Sequence, residues 1–346
     1  MEPSAPPRRV TIVDVAKHAK VSTTAVSKVL RNAYGVSPSM QAKVREAMTE
    51  LGYRPHAAAR GLRGQTYSLG VMLPDIYNPF FSDIINGLTK QLHGTDYQVL
   101  LGPARHEYAN ESLVTEAMID HSMDGLVLIV PTSAPSHLQY TATTVPTVVI
   151  GRHESSTAYD TVVDNDTAGA ALVVDHLVEL GHRRIAHIEH AERERALIAS
   201  MPNAIRARGY RQAMQAHGLD EHIDSIPTRY TREGGYLATK QLLARAQRPT
   251  AIFAGADIAA MGVLEAIAEA GLDVPGDISV AGYDNSVYAT LGPISLTSVD
   301  QGGHQMGSHA ARLLLERIAD RHRPSTMISL SPTLIVRRST APPPRQ

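Results

Sequence analysis

The 346-residue chain contains no cysteine, which excludes disulfides and cysteine-ligated metal centres together. Phenylalanine is scarce, at three residues. No apolar run approaches the roughly 20 residues that a membrane span needs. The opening residues, Met1-Glu2-Pro3-Ser4-Ala5-Pro6-Pro7-Arg8-Arg9, lead into no apolar signal core, so the expectation is a cytoplasmic protein with no membrane partner. Catalytic signatures are missing as well. There is no Gly-x-Gly-x-x-Gly or Walker sequence to cradle a nucleotide phosphate, no His-Glu-x-x-His to hold zinc and no Gly-x-Ser-x-Gly elbow to present a serine. Among sixteen histidines, His187 and His190 have a helical turn's spacing but follow a strand pattern. Neither an enzyme nor a metal site or cofactor is expected.

What is present is an ordinary globular composition, 43% hydrophobic and 19% charged, with length for two or three domains. The net charge of −1 conceals an asymmetry. Residues 1–64 hold eleven Lys/Arg against four acids, a net +7, and the remainder hold twenty-two against thirty, a net −8. One end is suited to a polyanion, although a basic solvated tail would give the same count.

The basic end reads as three short helices. Thr11-Ile12-Val13-Asp14 is a capping-box-like start, and Ile12, Val15, Ala16 and Ala19 keep helical spacing. Ser22 can cap a second helix over 23–30, with Val26, Val29 and Leu30 inward and Thr23, Thr24, Ser27 and Lys28 outward. A tight turn between two helices, the second exposing small hydroxyls and a cation, suits entry into a DNA major groove. Ser37-Pro38 opens a third helix that Gly52 closes. A small helical bundle with no DNA role has the same periodicity.

The residues themselves are more specific. Thr11-Ile12-Val13-Asp14-Val15-Ala16, Val21-Ser22-Thr23-Thr24-Ala25-Val26-Ser27-Lys28-Val29-Leu30 and Leu51-Gly52-Tyr53-Arg54-Pro55 resemble, in order, the headpiece of the LacI/GalR (lactose-repressor) family of bacterial transcription factors. The resemblance implies that Thr23, Thr24 and Lys28 face bases, while Ser22, Ser27, Asn32 and Tyr53 hold phosphates. Thr11 joins them at the DNA. Ala25 stands where the family usually has Thr, and Lys28 where Arg is commonest. Lys is a flexible point donor rather than a planar fork, so the base it reads is left open. Pro55-His56-Ala57-Ala58-Ala59-Arg60-Gly61-Leu62 resembles the family's hinge helix, with His56 replacing Asn. It implies that Leu62 wedges into the minor groove, Ala59 permits close approach and His56 also contacts DNA. So short a helix is unstable alone, and Gly61 costs it about 1 kcal/mol more. An exposed linker is the plain alternative.

From residue 68 onward, apolar runs at 69–73, 97–101, 125–130, 147–150, 184–188, 251–254, 278–282 and 295–299 alternate with helical patterns. Alternation of this kind predicts parallel sheets flanked by helices, with ligands at the strands' carboxyl ends. Gly70-Val71-Met72-Leu73-Pro74-Asp75, Asn78-Pro79-Phe80-Phe81, Val163-Asp164-Asn165, Gly181-His182-Arg183-Arg184-Ile185-Ala186, Arg206-Ala207-Arg208-Gly209-Tyr210 and Gly282-Tyr283-Asp284-Asn285 extend the resemblance over the family's periplasmic-binding-protein-like core. Its implied effector residues are Phe80 and Phe81 as an apolar wall, Arg206 and Asp284 as the main charged groups, and Arg152, Asp164, Asp257 and Gln301. Core packing for the two phenylalanines, and a ligand-free ion pair for Arg206 and Asp284, are the competing readings. Ala256 stands where the family often has Asn, and the charged segment 187–195 replaces a glycine-rich loop. That segment lines the cleft mouth or merely solvates the surface.

The expected fold class is therefore α/β: an N-terminal three-helix helix-turn-helix headpiece, plus a periplasmic-binding-protein-like core of two parallel-sheet α/β subdomains. The expected divisions are a disordered tail (1–9), the DNA-binding domain (10–54), the hinge (55–64) and the core (65–340). Within the core, the first subdomain covers about 66–162 and 292–325, and the second about 163–291 and 326–340, with crossovers near 162, 291 and 325. The expected function is a repressor of carbohydrate-uptake or catabolic genes. It binds a pseudo-palindromic double-stranded DNA operator as a homodimer, under allosteric control by a small effector, a sugar or sugar derivative. The alternative is a solute-binding protein with the same core, for which a basic headpiece has no use.

Overall fold

The computed structural model describes residues 10–30, 34–53, 65–104, 108–190 and 198–344. The chain divides into two compact units, Met1–Thr66 and Tyr67–Gln346. The expected tail (1–9) and hinge (55–64) lie outside the described residues.

The first unit contains α1 (Ile12–His18), α2 (Thr23–Leu30) and α3 (Pro38–Glu50). A short polar side chain fixes each start. The Asp14 carboxylate accepts from the Thr11 backbone N–H at 2.8 Å and from its hydroxyl at 2.7 Å. Ser22 Oγ accepts from the Ala25 N–H at 3.1 Å, and Ser37 Oγ from the Met40 N–H at 3.3 Å, just ahead of Pro38. Gly52, at φ +61°, supplies the left-handed residue that ends α3. Val15, Ala16, Val26, Val29, Val44 and Ala47 form a small buried core, with Leu30 packed at its margin.

The second unit holds two six-stranded sheets. In the first, β1 (Ser68–Leu73), β2 (Gln98–Pro103), β3 (Gly125–Ile129), β4 (Thr147–Ile150), β5 (Asp160–Asp164) and β11 (Met327–Leu330) take the order β11-β5-β4-β3-β1-β2, all parallel. In the second, β6 (Ile185–His190), β7 (Asp224–Thr228), β8 (Ala251–Ala254), β9 (Ser279–Tyr283), β10 (Thr297–Asp300) and β12 (Thr333–Ile335) run β12-β10-β9-β8-β6-β7. Only β12 is antiparallel, against β10. Near-continuous burial of β1, β3, β4, β8 and β9 explains their unbroken apolar runs, because helices cover both faces.

The helices are α4 (Pro79–Gln91), α5 (Tyr108–Asp120), α6 (Pro135–Thr144), α7 (Asp166–Glu179), α8 (Pro202–Ala216), α9 (Arg232–Leu243), α10 (Asp257–Glu269), α11 (Val287–Thr290) and α12 (Gly303–Ala319). The chain leaves the first sheet after Asp164, returns after Asp300 and leaves again after Leu330. Two crossovers thus fall later than the expected positions near 291 and 325. Residues 297–300 pair with β9 and so belong to the second subdomain, while 327–330 pair with β5 and belong to the first.

Candidate DNA-binding surface and effector cleft

Ser22, Thr23, Thr24 and Lys28 are all exposed on α2 or at its cap, as its outward face requires. Ser27 is half-buried beside them, and Tyr53 packs, half-buried, against the headpiece core. Thr11 is exposed, with its hydroxyl given to Asp14. Asn32, His56, Ala59 and Leu62 lie outside the described residues. The face is therefore three hydroxyls and one cation on a helix that packs through Val26 and Val29.

In the second unit, the strands' carboxyl ends bring polar side chains of both subdomains together. Asp166, fully buried at the start of α7, is the centre. Its Oδ1 accepts from Arg206 Nη2 at 2.6 Å and Nε at 3.1 Å, and its Oδ2 meets His153 Nε2 at 2.8 Å. Arg206, one turn into α8, also donates to the Gly255 carbonyl, and its guanidinium carbon lies 3.5 Å from the Tyr283 ring centroid. Burial alone would raise the Asp166 carboxyl, but Arg206 and His153 hold it below the usual range. Burial likewise opposes the Arg206 charge, and Asp166 outweighs it, keeping the guanidinium protonated. Burial pushes Asp164 well up, and the neighbouring Asp166 charge pushes it further. Its Oδ2 accepts from the Tyr283 hydroxyl at 2.7 Å.

His153, Asp164 and Asp166 place potential ligand atoms within 4.8 Å of one another. Asp166 already spends both oxygens on Arg206 and His153, so the guanidinium is the cation this group serves.

Asp284, at φ +114° just past β9, accepts from Gln301 Nε2 at 2.6 Å through Oδ1, while its buried Oδ2 has no partner. Burial drives this carboxyl well above its usual range, and Asp257 adds to the effect. Two further buried polar atoms lack partners at this end of the second sheet: the Tyr230 hydroxyl after β7 and Asn203 Nδ2 in the first turn of α8. A buried polar atom left unpaired costs about 1–3 kcal/mol, so several in one place suit a site whose occupant supplies the bonds.

The expected effector residues divide accordingly. Arg206, Asp164, Asp284 and Gln301 share this cluster. Asp257 lies behind it and spends its oxygens at 2.7 Å on the Ser286 N–H and the Ser298 hydroxyl. Burial lifts its carboxyl to about 6 against those donors. Arg152 is fully buried in the first subdomain, bound to Glu154 at 3.0 Å and to the Pro131 and Ser133 carbonyls. Both are thus engaged by partners within the protein. Phe80 and Phe81 belong to the core of the first subdomain, where Phe80 lies against Gly303. Core packing is thus the role the structure gives them. Residues beyond His190 in the charged segment lie outside the described residues. Sequence reading missed Asp166, His153, Asn203 and Tyr230. Asp166 was adjacent to a quoted motif, whereas Tyr230 follows β7, a strand whose Pro227 and polar residues hid it.

Comparison with known proteins gives this arrangement its context. Residues 11–56 match the model of bacterial regulatory proteins of the lacI family, and residues 174–340 match that of the periplasmic binding protein-like domain. The HTH-type transcriptional repressor PurR of Pectobacterium carotovorum subsp. carotovorum is 33% identical over 339 residues, 96% of this chain and 98% of PurR. The chain belongs to the LacI family. Catabolite control protein A of Priestia megaterium is 32% identical over 336 residues, covering 96% of this chain and 99% of that one. A LacI family transcriptional regulator from Enterococcus faecium, solved with bound ribose, is 29% identical with a TM-score of 0.69, covering 80% and 99% of the two chains. This LacI-family chain is accordingly a DNA-binding transcriptional repressor and not an enzyme. Among its described residues, no helix is long and apolar enough to cross a membrane.

Proposed function

We propose that this repressor acts in the cytoplasm as a homodimer on a pseudo-palindromic operator, and that a small polyhydroxy effector, a sugar or sugar derivative, controls it from the cleft between the two subdomains. The observation that carries the reading is the set of unpartnered buried atoms beside the Arg206–Asp166 pair: Tyr230 OH, Asp284 Oδ2 and Asn203 Nδ2. Donors and acceptors mixed in this way match hydroxyl groups, each of which donates and accepts. The ribose bound by the Enterococcus faecium relative supports the same class. No metal or cofactor is needed. A second copy has an apolar surface to cover. Leu100 and Leu101 on β2, the edge strand of the first sheet, are about half exposed, and Leu113 on α5 is 63% exposed.

The deciding experiment measures operator binding with genomic fragments selected by the full-length protein, across a salt series and a panel of sugars. Affinity falls steeply with salt, by about a thousandfold between 50 and 200 mM if each dimer holds six or more phosphates, and one sugar changes it further. Salt-independent binding would overturn the phosphate contacts. Operator binding that no sugar alters, with no sugar shifting the melting temperature, would overturn the effector class.

A further inference from the structure

Tyr230 has two environments. Its hydroxyl is buried against Gly255, where an added Cβ would lie 1.9 Å away, while its ring borders a cavity of about 1050 Å³. We propose that this cavity is a second subsite that selects an uncharged oligosaccharide, of two or more sugar units, over a free monosaccharide or a phosphorylated sugar. The proposal rests on the sugar reading of the cleft and specifies its ligand.

Size is the first argument. Clefts for small ligands run from about 300 to 1,000 Å³, so this one is far larger than a single sugar ring requires. The walls are the second. Tyr77 rises from the β1–α4 loop of the first subdomain, 79% exposed, and Tyr236 and Tyr288 stand half-exposed on the second. With Tyr230 they bring four tyrosines to the lining, one of them, Tyr236, with Lys240 over its ring, and aromatic faces suit the C–H faces of sugars. A tyrosine so exposed, on a loop with Ile76 also 65% exposed, leaves apolar area for a ligand to cover.

Charge decides against other occupants. Asp75, Glu233 and Glu265 line the cavity, and Arg232, the one cation among its described lining residues, is tied to Glu265 at 2.6 Å. A phosphate would meet net negative charge. A cationic ligand fares no better, because two of the three carboxylates are engaged: Asp75 by the N–H groups of Tyr77 and Asn78 at 2.7 and 2.9 Å, and Glu265 by Arg232. Engaged carboxylates still accept from hydroxyls through their remaining lone pairs. Because the walls come from both subdomains, a ligand long enough to touch Tyr77 and Tyr288 together also reports on the angle between them.

The test is calorimetric titration of the full-length repressor with mono-, di- and trisaccharides of glucose, galactose and xylose, the corresponding sugar 6-phosphates, and choline. One di- or trisaccharide is expected to bind at least tenfold more tightly than its constituent monosaccharide. Tyr77→Ala and Tyr288→Ala each lower that affinity about tenfold, the order of one uncovered aromatic face, and leave the monosaccharide's unchanged. Thermal unfolding of each variant establishes that it folds, and Tyr288→Phe keeps the tighter binding. Equal affinity for monomer and oligomer, or loss of neither with either alanine variant, overturns the subsite while the cleft reading stands. Tighter binding of a phosphorylated sugar or of choline overturns its chemistry. If no saccharide of any length binds, the sugar reading itself fails.

Discussion

Arg206 shows how much one buried side chain can carry. It neutralises Asp166, holds the Gly255 carbonyl and covers Tyr283, and its length and planarity allow all three at once. Arg206→Ala strands the Asp166 charge and is expected to destabilise the protein by about 3–5 kcal/mol in urea unfolding. Replacing both partners, as Arg206→Met with Asp166→Leu, recovers much of that stability, because two buried charges need no longer be desolvated. A double variant no better than the single one would mean that the remaining contacts of Arg206 matter more than the pair. His187 makes a separate case. It is fully buried between Tyr210 and Phe253, its Nδ1 donates to the Phe253 carbonyl at 3.0 Å, and burial pushes it down to about 3. The unfolded chain protonates this ring near pH 6.5 and the folded one does not. Stability is therefore complete above pH 6.5 and falls as pH drops toward 3, by about 1.4 kcal/mol per unit from this residue. His187→Phe is expected to flatten that acid limb in unfolding measured from pH 4 to 7. An unchanged slope would assign the limb to other groups, with His176 and His182, also lowered by burial, as the next candidates.

At the scale of elements, helix pairs meet through glycine. A Cβ at Gly87 on α4 would lie 1.9 Å from the His304 carbonyl oxygen, and one at Gly307 on α12 would lie 1.9 Å from that of Ile84. The two backbones touch, and no side chain is there to give way. Gly235 and Gly262 do the same for α9 and α10. Gly307→Ala must push α12 off α4 and is expected to cost about 3 kcal/mol, read as a lower urea midpoint with an unchanged slope. A loss below about 0.5 kcal/mol would show that the helices slide without penalty. Such contacts also explain what was legible beforehand. Eight strands announced themselves as apolar runs, most of them because helices bury both of their faces; β2 is the exception, an apolar strand left largely exposed at a sheet edge. β5 did not, because its ends are the buried acids Asp160 and Asp164, and their ion pair and hydrogen bonds are tertiary facts. β7, β11 and β12 lie at sheet edges, where one-sided burial and Pro227 dilute the pattern. The site followed the same logic. Arg206, Asp164 and Asp284 came from local motifs and Gln301 from the wider resemblance, whereas Asp257 and Arg152, implied by the same resemblance, are taken up by hydrogen bonds and an ion pair within the protein that no motif announces.

The whole second unit behaves as two layers joined by three crossovers, with polar bonds beside them that tie one subdomain to the other. Tyr283 of the second sheet donates to Asp164 of the first; His153 reaches Asp166; and Ser200, before α8, donates to Glu154 at 2.7 Å. All three span the joint that an effector would move, so their strength sets how firmly one subdomain angle is preferred. Thermodynamic linkage then fixes a symmetry: the factor by which effector changes operator affinity equals the factor by which operator changes effector affinity. Tyr283→Phe keeps the ring under Arg206 but deletes the bond to Asp164, whose raised carboxyl is left without that donor. The variant is expected to fold, to bind operator and effector separately, and to lower the coupling factor about fivefold or more, identically in both directions. Operator titrations with and without saturating effector, paired with effector titrations with and without operator, supply the four constants. Unchanged coupling would place the switch outside this joint, and because the four constants close a thermodynamic cycle, unequal factors in the two directions would mean that a titration had not reached equilibrium.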